Sequence, residues 1–494
     1  MASSRHAPRR RSLPLLLPPL LLLLLLSAHG ALAGLAVSHG DVRPTPDTDD
    51  DHRSAFEQHW WVDASLSDGG WLSPATLREI TLRVPGRVFV SQGGTWTSDR
   101  RGAPPSAATI RVSGDSPKLF EYLEVVATST SAIEVRQRAD ATAPLRDVYL
   151  LIEIQLALAE QVQTLLSAGS ADVVVEDRVL VASRLDAELQ LSLTGSGSLF
   201  VASSVPTEVA KLLLNIAGSG DLSWSAPRLH VNAFMINVVG SGDAAVSADS
   251  IEVTAMDAHI AGSGDVCVRA PRYFRAEHLG TAILGSGDVA LGSNDGRASS
   301  TELHVAGSGD VNVGEIVSDD VSVSVAGSGD VLVRAVHSIV GTTWGGGGVK
   351  YLGDRPERIS DRRDVNVFSP EQSSKYKPVA KPRRVPRAVY CRVPAPPSRR
   401  AVVVSMNAST SKLLLVPLVV LALLAACYLR NQMKQRRQRP RFQADASSSF
   451  AERQPLQQPA MGPTYYSATG GYGVQQPQQL QPQQPQQQSS QVYV

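Results

Sequence analysis

The sequence predicts an all-β protein whose main part is a β-solenoid, and three observations support this. The tetrapeptide GSGD recurs about every 22 residues, apolar and polar residues alternate on both sides of each copy, and aromatic residues make up only 5% of the chain. One coil of this kind cannot bury its own apolar face, so successive coils must stack to form a core. We expect about eight or nine coils.

The repeat region is predicted at residues 166–352 from the positions of the tetrapeptide. Complete copies begin at Gly218, Gly240, Gly262, Gly285, Gly307 and Gly327. Degenerate copies begin at Gly169, Gly195 and Gly345. Successive copies lie 18 to 26 residues apart, which suits one coil of a solenoid.

Four positions around the copies are apolar almost without exception, at −4, −2, +4 and +6 from the first glycine. At Gly327 they are Val323, Val325, Val331 and Val333. This alternation predicts strands with one buried face, and its parity is kept across the tetrapeptide. Both glycines therefore fall on the inward face, where we expect a bend or a narrow place that a Cβ would block.

The segments on either side of the repeat are assigned by composition. An acidic segment, 34–75, precedes a non-repetitive β region at 76–165, in which Ile80–Gly94 predicts a pair of entry strands. After the repeat, 353–411 is rich in prolines and cations and predicts an extended basic stalk. Electrostatic attachment of this stalk to anionic polysaccharide or lipid is an open alternative to a plain spacer.

Two apolar segments predict a membrane topology. Residues 1–33 combine a basic cluster, an apolar run and small residues before a cleavage position, as a cleaved signal peptide does. The apolar run at 412–430 is near the short end of a membrane-spanning helix, and basic residues follow it. We expect a single-pass type I protein of the plasma membrane or another secretory-route membrane, with its N-terminus outside.

The remaining features concern partners and modification. The Gln/Pro-rich segment 431–494 predicts a disordered cytoplasmic tail that recruits cytosolic partners, and a net charge of +1 gives no bias towards nucleic acid. Asn407 begins a weak glycosylation sequon close to the predicted span. Three cysteines cannot form a disulfide framework, and an intermolecular bridge through Cys391 is one hypothesis for that residue.

Stacking would place the GSGD aspartates in one outward-facing column. Its members are Asp221, Asp243, Asp265, Asp288, Asp310 and Asp330. Carboxylates about 5 Å apart repel one another unless something compensates their charge. Two answers are open: calcium bound by the carboxylate oxygens, or hydrogen bonds from backbone N–H groups and serine hydroxyls. No other cofactor is indicated.

This pattern resembles the putative auto-transporter adhesin, head GIN domain family. The features that carry the resemblance are the repeated apolar alternation and the GSGD that interrupts it, and they extend from about Ile80 to Tyr351. The resemblance implies a right-handed β-helix. It also implies an adhesive role at a surface.

The sequence favours a binding protein over an enzyme. A polysaccharide-cleaving β-helix needs singular acidic, basic or cationic residues, whereas the conspicuous aspartates are all repeat positions. His259 and His304 share a repeat position but lie two coils apart, about 10 Å, which is too far to share a metal ion. We expect the solenoid to bind a carbohydrate or protein at the cell surface. Two alternatives remain open: a surface or wall spacer without a specific ligand, and a carbohydrate-active β-helix enzyme.

Overall fold

The computed structural model describes residues 34–45, 54–64, 76–93, 106–141, 144–361, 376–379 and 393–406. Within these ranges the chain is all-β, with a 3₁₀ turn at Pro117–Glu121. In this part of the chain no helix has the length and apolar character that crossing a membrane requires. The predicted signal peptide, the predicted span at 412–430, Asn407 and the predicted tail lie outside the described residues.

Nine strands precede the continuous repeat. They are β1 Leu35–His39, β2 Arg43–Pro44, β3 Phe56–Ala64, β4 Glu79–Arg83, β5 Gly86–Gln92, β6 Ala108–Gly114, β7 Leu123–Ser129, β8 Ala132–Gln137 and β9 Leu145–Leu156. β4 and β5 pair in parallel with the first two strands of the repeat, so the predicted entry strands form the first coil. The chain between them and the repeat folds into β6–β9, and β9 pairs with both β5 and β6.

The repeat supplies the stacked coils. Its strands are β10 Thr164–Gly169, β11 Ala171–Val175, β12 Ser183–Gly195, β13 Leu199–Ala202, β14 Thr207–Gly218, β15 Leu222–Gly240, β16 Ala244–Gly262, β17 Val266–Ala270, β18 Tyr273–Gly285, β19 Val289–Ser293, β20 Gly296–Gly307, β21 Val311–Gly327, β22 Val331–Trp344 and β23 Val349–Leu352. All of them pair in parallel with the preceding coil, and each coil has three paired runs, as at 222–226, 228–231 and 233–240. The result is a β-solenoid of about nine turns, which confirms the predicted all-β class and coil number.

The core lies inside the coils, at the positions that the alternation predicts. Around Gly327, the side chains of Val323, Val325, Val331 and Val333 are at most 3% exposed. Each of these side chains continues a column that begins and ends in other coils, so the core is shared by the whole stack. Burial of one such side chain stabilises the folded state by about 1.5–3 kcal/mol relative to leaving it exposed.

The corner glycines are required by contact with the preceding coil. The first glycine has a positive φ, for example 137° at Gly218, which L-residues rarely adopt. The second glycine has no space for a side chain, since a Cβ on Gly242 would lie 2.1 Å from the carbonyl oxygen of Gly220. The corner is thus a narrow place, as the sequence predicts.

Strands also occur where composition predicted none. In the acidic segment, β3 pairs with β6, and its Trp60 and Val62 are buried in the main core. In the predicted stalk, β24 Arg358–Asp361 and β25 Tyr376–Val379 continue the parallel stack on β22 and β23. The last strand, β26 Val402–Met406, pairs antiparallel with β9 in the entry region. The residues of β26 therefore pack on the entry region.

Candidate binding groove

A small apolar cluster lies outside the coils, near the entry end. Phe89, Val174 and Phe200 occupy successive positions of one column, because β5, β11 and β13 pair in register. Their parity is opposite to that of the core positions, so their side chains point outward. Phe89 and Val174 are nevertheless only 4% exposed, and Ala401, just before β26, is buried with them in one cluster.

Arg399 fixes the segment that lies across this cluster. Its guanidinium lies 5.3 Å from the centroid of the Phe89 ring, close enough for a cation–π contact. It also lies 3.5 Å from a carboxylate oxygen of Glu153 and donates a hydrogen bond to Glu176. Because Glu153 is buried, its carboxylate needs cationic partners, and Arg111 supplies another by donating from Nε at 2.8 Å.

An open groove of about 550 Å³ runs between this segment and the coils. Its apolar lining includes Val174 and the two prolines Pro396 and Pro397. The polar lining consists of Glu176, Asp177, Ser203, Ser204 and Arg399. A concave, mostly apolar site with a few convergent polar groups is the usual form of a small-molecule binding site.

Hydrogen bonds between coils hold the acidic side of the groove in place. The Ser204 N–H donates to Asp177 Oδ1 at 2.9 Å, and the Ser204 hydroxyl donates to the other carboxylate oxygen. Burial raises the pKa of Asp177, but the bonds from Ser204, the backbone N–H of Arg178 and the charge of Arg178 together outweigh it, so that the pKa lies below its usual value. Asp177 is therefore an ionised and oriented acceptor at neutral pH.

The GSGD aspartates form the predicted column, and each one receives a hydrogen bond from the next coil. The backbone N–H of Asp243 donates to Asp221 Oδ1 at 3.0 Å. The same bond recurs along the column, with distances of 2.7 to 3.0 Å. At the end of the column, Lys350 also pairs with Asp330. Of the two ways to offset the repulsion between these carboxylates, the structure thus contains the hydrogen bonds from backbone N–H groups.

A metal site in the paired coils would need a group of side chains that could bind the ion together. Among the residues that the structure describes, no group of three or more His, Cys, Asp or Glu side chains is placed to hold a metal ion. His259 and His304 lie in one column with Ala282 between them. Calcium binding by the aspartate column stays a prediction.

One polar cluster departs from the repeat pattern and was not predicted. Burial raises the pKa of Asp257 and lowers that of its neighbour His259. Two coils after Asp257, a carboxylate oxygen of Glu302 lies 3.1 Å from His304 Nε2. Gly280 lies between the two acidic residues, and a Cβ there would be 2.1 Å from an Asp257 carboxylate oxygen. His259 and His304 thus each have an acidic neighbour two residues earlier in the same strand.

The groove itself was also missed by the sequence reasoning. Arg399 and Glu176 are 223 residues apart in the chain, and no local pattern indicates that they meet. The outward aromatic positions were the available signal. Phe89 and Phe200 are large aromatic residues in the early coils of a column whose later members, such as Ser223 and Ala245, are small.

The similarity to a known family lies within the repeat. Residues 272–354 match the family model described as putative auto-transporter adhesin, head GIN domain. The chain resembles this family. The match covers the later coils, including the corners at Gly285, Gly307 and Gly327, and is shorter than the resemblance read from the sequence. No curated protein matches this chain.

Solved bacterial structures are similar to this chain at low identity. A putative adhesin from Parabacteroides distasonis is 13% identical, with 70% of this chain and 98% of that chain covered and a TM-score of 0.33. A putative lipid binding protein from the same species is 17% identical, with 63% and 95% covered and a TM-score of 0.33. A putative adhesin from Bacteroides fragilis is 13% identical, with 70% and 97% covered and a TM-score of 0.21.

Proposed function

We propose that this chain is a cell-surface binding protein whose β-solenoid binds a carbohydrate in the groove at its entry end. In this proposal a single membrane span holds the solenoid outside the cytosol, as the apolar segments at 1–33 and 412–430 indicate. The groove between the coils and residues 396–399 is the observation that carries the proposal. The match to an adhesin family supports a binding role.

The lining of the groove suits a sugar better than a purely apolar ligand. A sugar ring presents an apolar face of C–H groups together with a rim of hydroxyls. Val174 and Pro396 supply an apolar wall, while Asp177 accepts hydrogen bonds from a fixed position. Arg399 adds a cationic group, so that acidic or neutral sugars are both compatible with the groove.

We favour binding over catalysis because of the state of the groove carboxylates. Glycoside hydrolysis needs one carboxylic acid with a raised pKa to protonate the leaving group. The pKa of Asp177 is lowered, and Glu176 is engaged by Arg399. Neither residue has the surroundings of such an acid.

The test is glycan-array binding by the full-length protein in detergent micelles. We expect binding to at least one glycan class, and we expect Asp177→Asn to weaken it at least tenfold, because a hydrogen bond to a charged group contributes about 1.5–3 kcal/mol. Pro396→Trp should also reduce binding, since it fills the groove from an exposed position. Asp186→Asn is the matched control, because its side chain is 76% exposed and lies outside the groove lining.

Two outcomes would contradict the proposal. One is the absence of binding to every glycan by folded protein, which would favour a protein ligand or a spacer without a specific ligand. The other is binding that Pro396→Trp and Asp177→Asn leave unchanged, which would place the site elsewhere. Release of a cleaved glycan would instead support the enzyme alternative.

A further inference from the structure

Cys267 forms a disulfide bond, which the cysteine count did not predict. The sequence contains two other cysteines, Cys391 and Cys427, and both lie outside the described residues. Cys267 belongs to β17, at an outward position between the buried Val266 and Val268. Its partner therefore approaches from outside the coils.

Cys267 lies in the same outward column as the floor of the groove. From Phe200, the column continues through Ser223 and Ala245 to Cys267, because β13, β15, β16 and β17 pair in register. The intervening side chains are small, so a neighbouring chain can lie close to the coils along this line. Ser223 is only 2% exposed although it points away from the core, and the next members of the column, Ala245 and Cys267, are half-buried.

The length of the chain fits a course along this column. Phe89 and Cys267 are five coils apart, which corresponds to about 24 Å at about 4.8 Å per strand. Arg399 contacts Phe89 and follows Cys391 by eight residues, with three prolines between them. Eight residues in the extended conformation of proline-rich chains span about 25 Å, at about 3.1 Å per residue. Cys427, by contrast, falls within the predicted membrane span.

We infer that Cys267 is bonded to Cys391, and that residues 393–401 form a strap along the outward column towards the entry end. The strap carries Pro396 and Pro397, which are one wall of the groove. The disulfide thus fixes a groove wall from a point several coils away. Since disulfides persist in oxidising compartments, the groove wall is secured only after export of the chain.

The disulfide is tested by peptide mapping without reduction, using full-length protein whose free thiols are alkylated first. We expect one cross-linked peptide pair that contains Cys267 and Cys391, together with alkylated Cys427. A bond between Cys267 and Cys427, a bond between two chains, or an alkylated Cys267 would overturn the assignment. Cys391→Ser should expose Cys267 to alkylation, whereas the control Cys427→Ser should not.

The role of the strap as a groove wall rests on the proposed function and has its own readout. With a glycan identified on the array, we expect Cys391→Ser to weaken binding at least fivefold while Cys427→Ser leaves it unchanged. Equal binding by both variants would overturn this role. The two proposals fail separately: a mapped Cys267–Cys391 bond without any glycan binding contradicts the groove function alone, and glycan binding without that bond contradicts the strap alone.

Discussion

Three residues of the GSGD corner, the two glycines and the aspartate, contact their equivalents in the neighbouring coils, and this explains why they recur. The first glycine adopts a positive φ, and the second has no space for a Cβ. The aspartate receives a backbone hydrogen bond from the next coil, which offsets part of the repulsion along the column. The serine is exposed, as at Ser219, and has the fewest steric constraints.

A glycine substitution tests the narrow corner. Gly242→Ala should lower the free energy of unfolding by about 3 kcal/mol or more, because the new Cβ would meet the Gly220 carbonyl oxygen at 2.1 Å. Gly346→Ala is the matched control in a degenerate corner, where a Cβ meets nothing within 4 Å, and we expect a change below about 0.5 kcal/mol. Urea unfolding measures both. Similar losses for the two variants would show that backbone freedom, and not space, explains the glycines.

At the scale of elements, the pairing of β26 with β9 joins the end of the described chain to the entry region. β9 is central there, since it pairs with β5, β6 and β26. Met406 is 1% exposed and belongs to the main core, whereas Val403 on the same strand is 52% exposed. A short edge strand with one buried face thus completes the core at this end.

The contribution of β26 can be measured by truncating each face of the strand. Met406→Ala should lower the free energy of unfolding by about 2–4 kcal/mol, because it leaves a cavity in the core. Val403→Ala, its control on the exposed face, should change it by less than about 0.5 kcal/mol. Urea unfolding of the full-length protein is the measurement. If Met406→Ala had no effect, β26 would not be part of the folded core.

At the scale of the whole molecule, stability is distributed along the stack. Each coil pairs only with its two neighbours, so the folded state approximates a sum of similar interfaces. The β26–β9 pairing is an exception, and so is the Cys267–Cys391 bond that we propose, because both join residues far apart in the sequence. Such long-range links make the stack more cooperative than its repeats alone would be.

Deleting one coil tests this view of the stack. Removal of Val289–Asp310 joins Asp288 to Val311, two consecutive positions of the repeat, and keeps the parity of all later strands. We expect folded protein with a moderately lower thermal midpoint. Removal of Val289–Ser299 is the control, because its odd length turns the apolar positions of the next strand outward. We expect that variant to lose its later coils, measured by circular dichroism and limited proteolysis. Equal behaviour of the two would contradict the register argument.

The local pattern was sufficient for the coils and insufficient for the ends of the stack. Valines at positions such as 323 and 325 alternate in the sequence because each strand meets the same environment in every coil, so their burial could be predicted. The acidic composition of residues 34–75 gave no sign of Trp60 and Val62, which are buried through pairing with β6. The pairing of β26 could not be predicted from the composition of the stalk either, since its partner is a strand more than two hundred residues earlier.

The sequence by itself determined the repeat, the inward positions and the aspartate column. These follow from local alternation and from stacking, which presents each residue to its own equivalents in the next coil. Only the tertiary structure decided where the acidic segment packs, which groups line the groove, and that Cys267 is bonded. Those features depend on contacts between segments that share no pattern, so their positions become known only when the whole chain is folded.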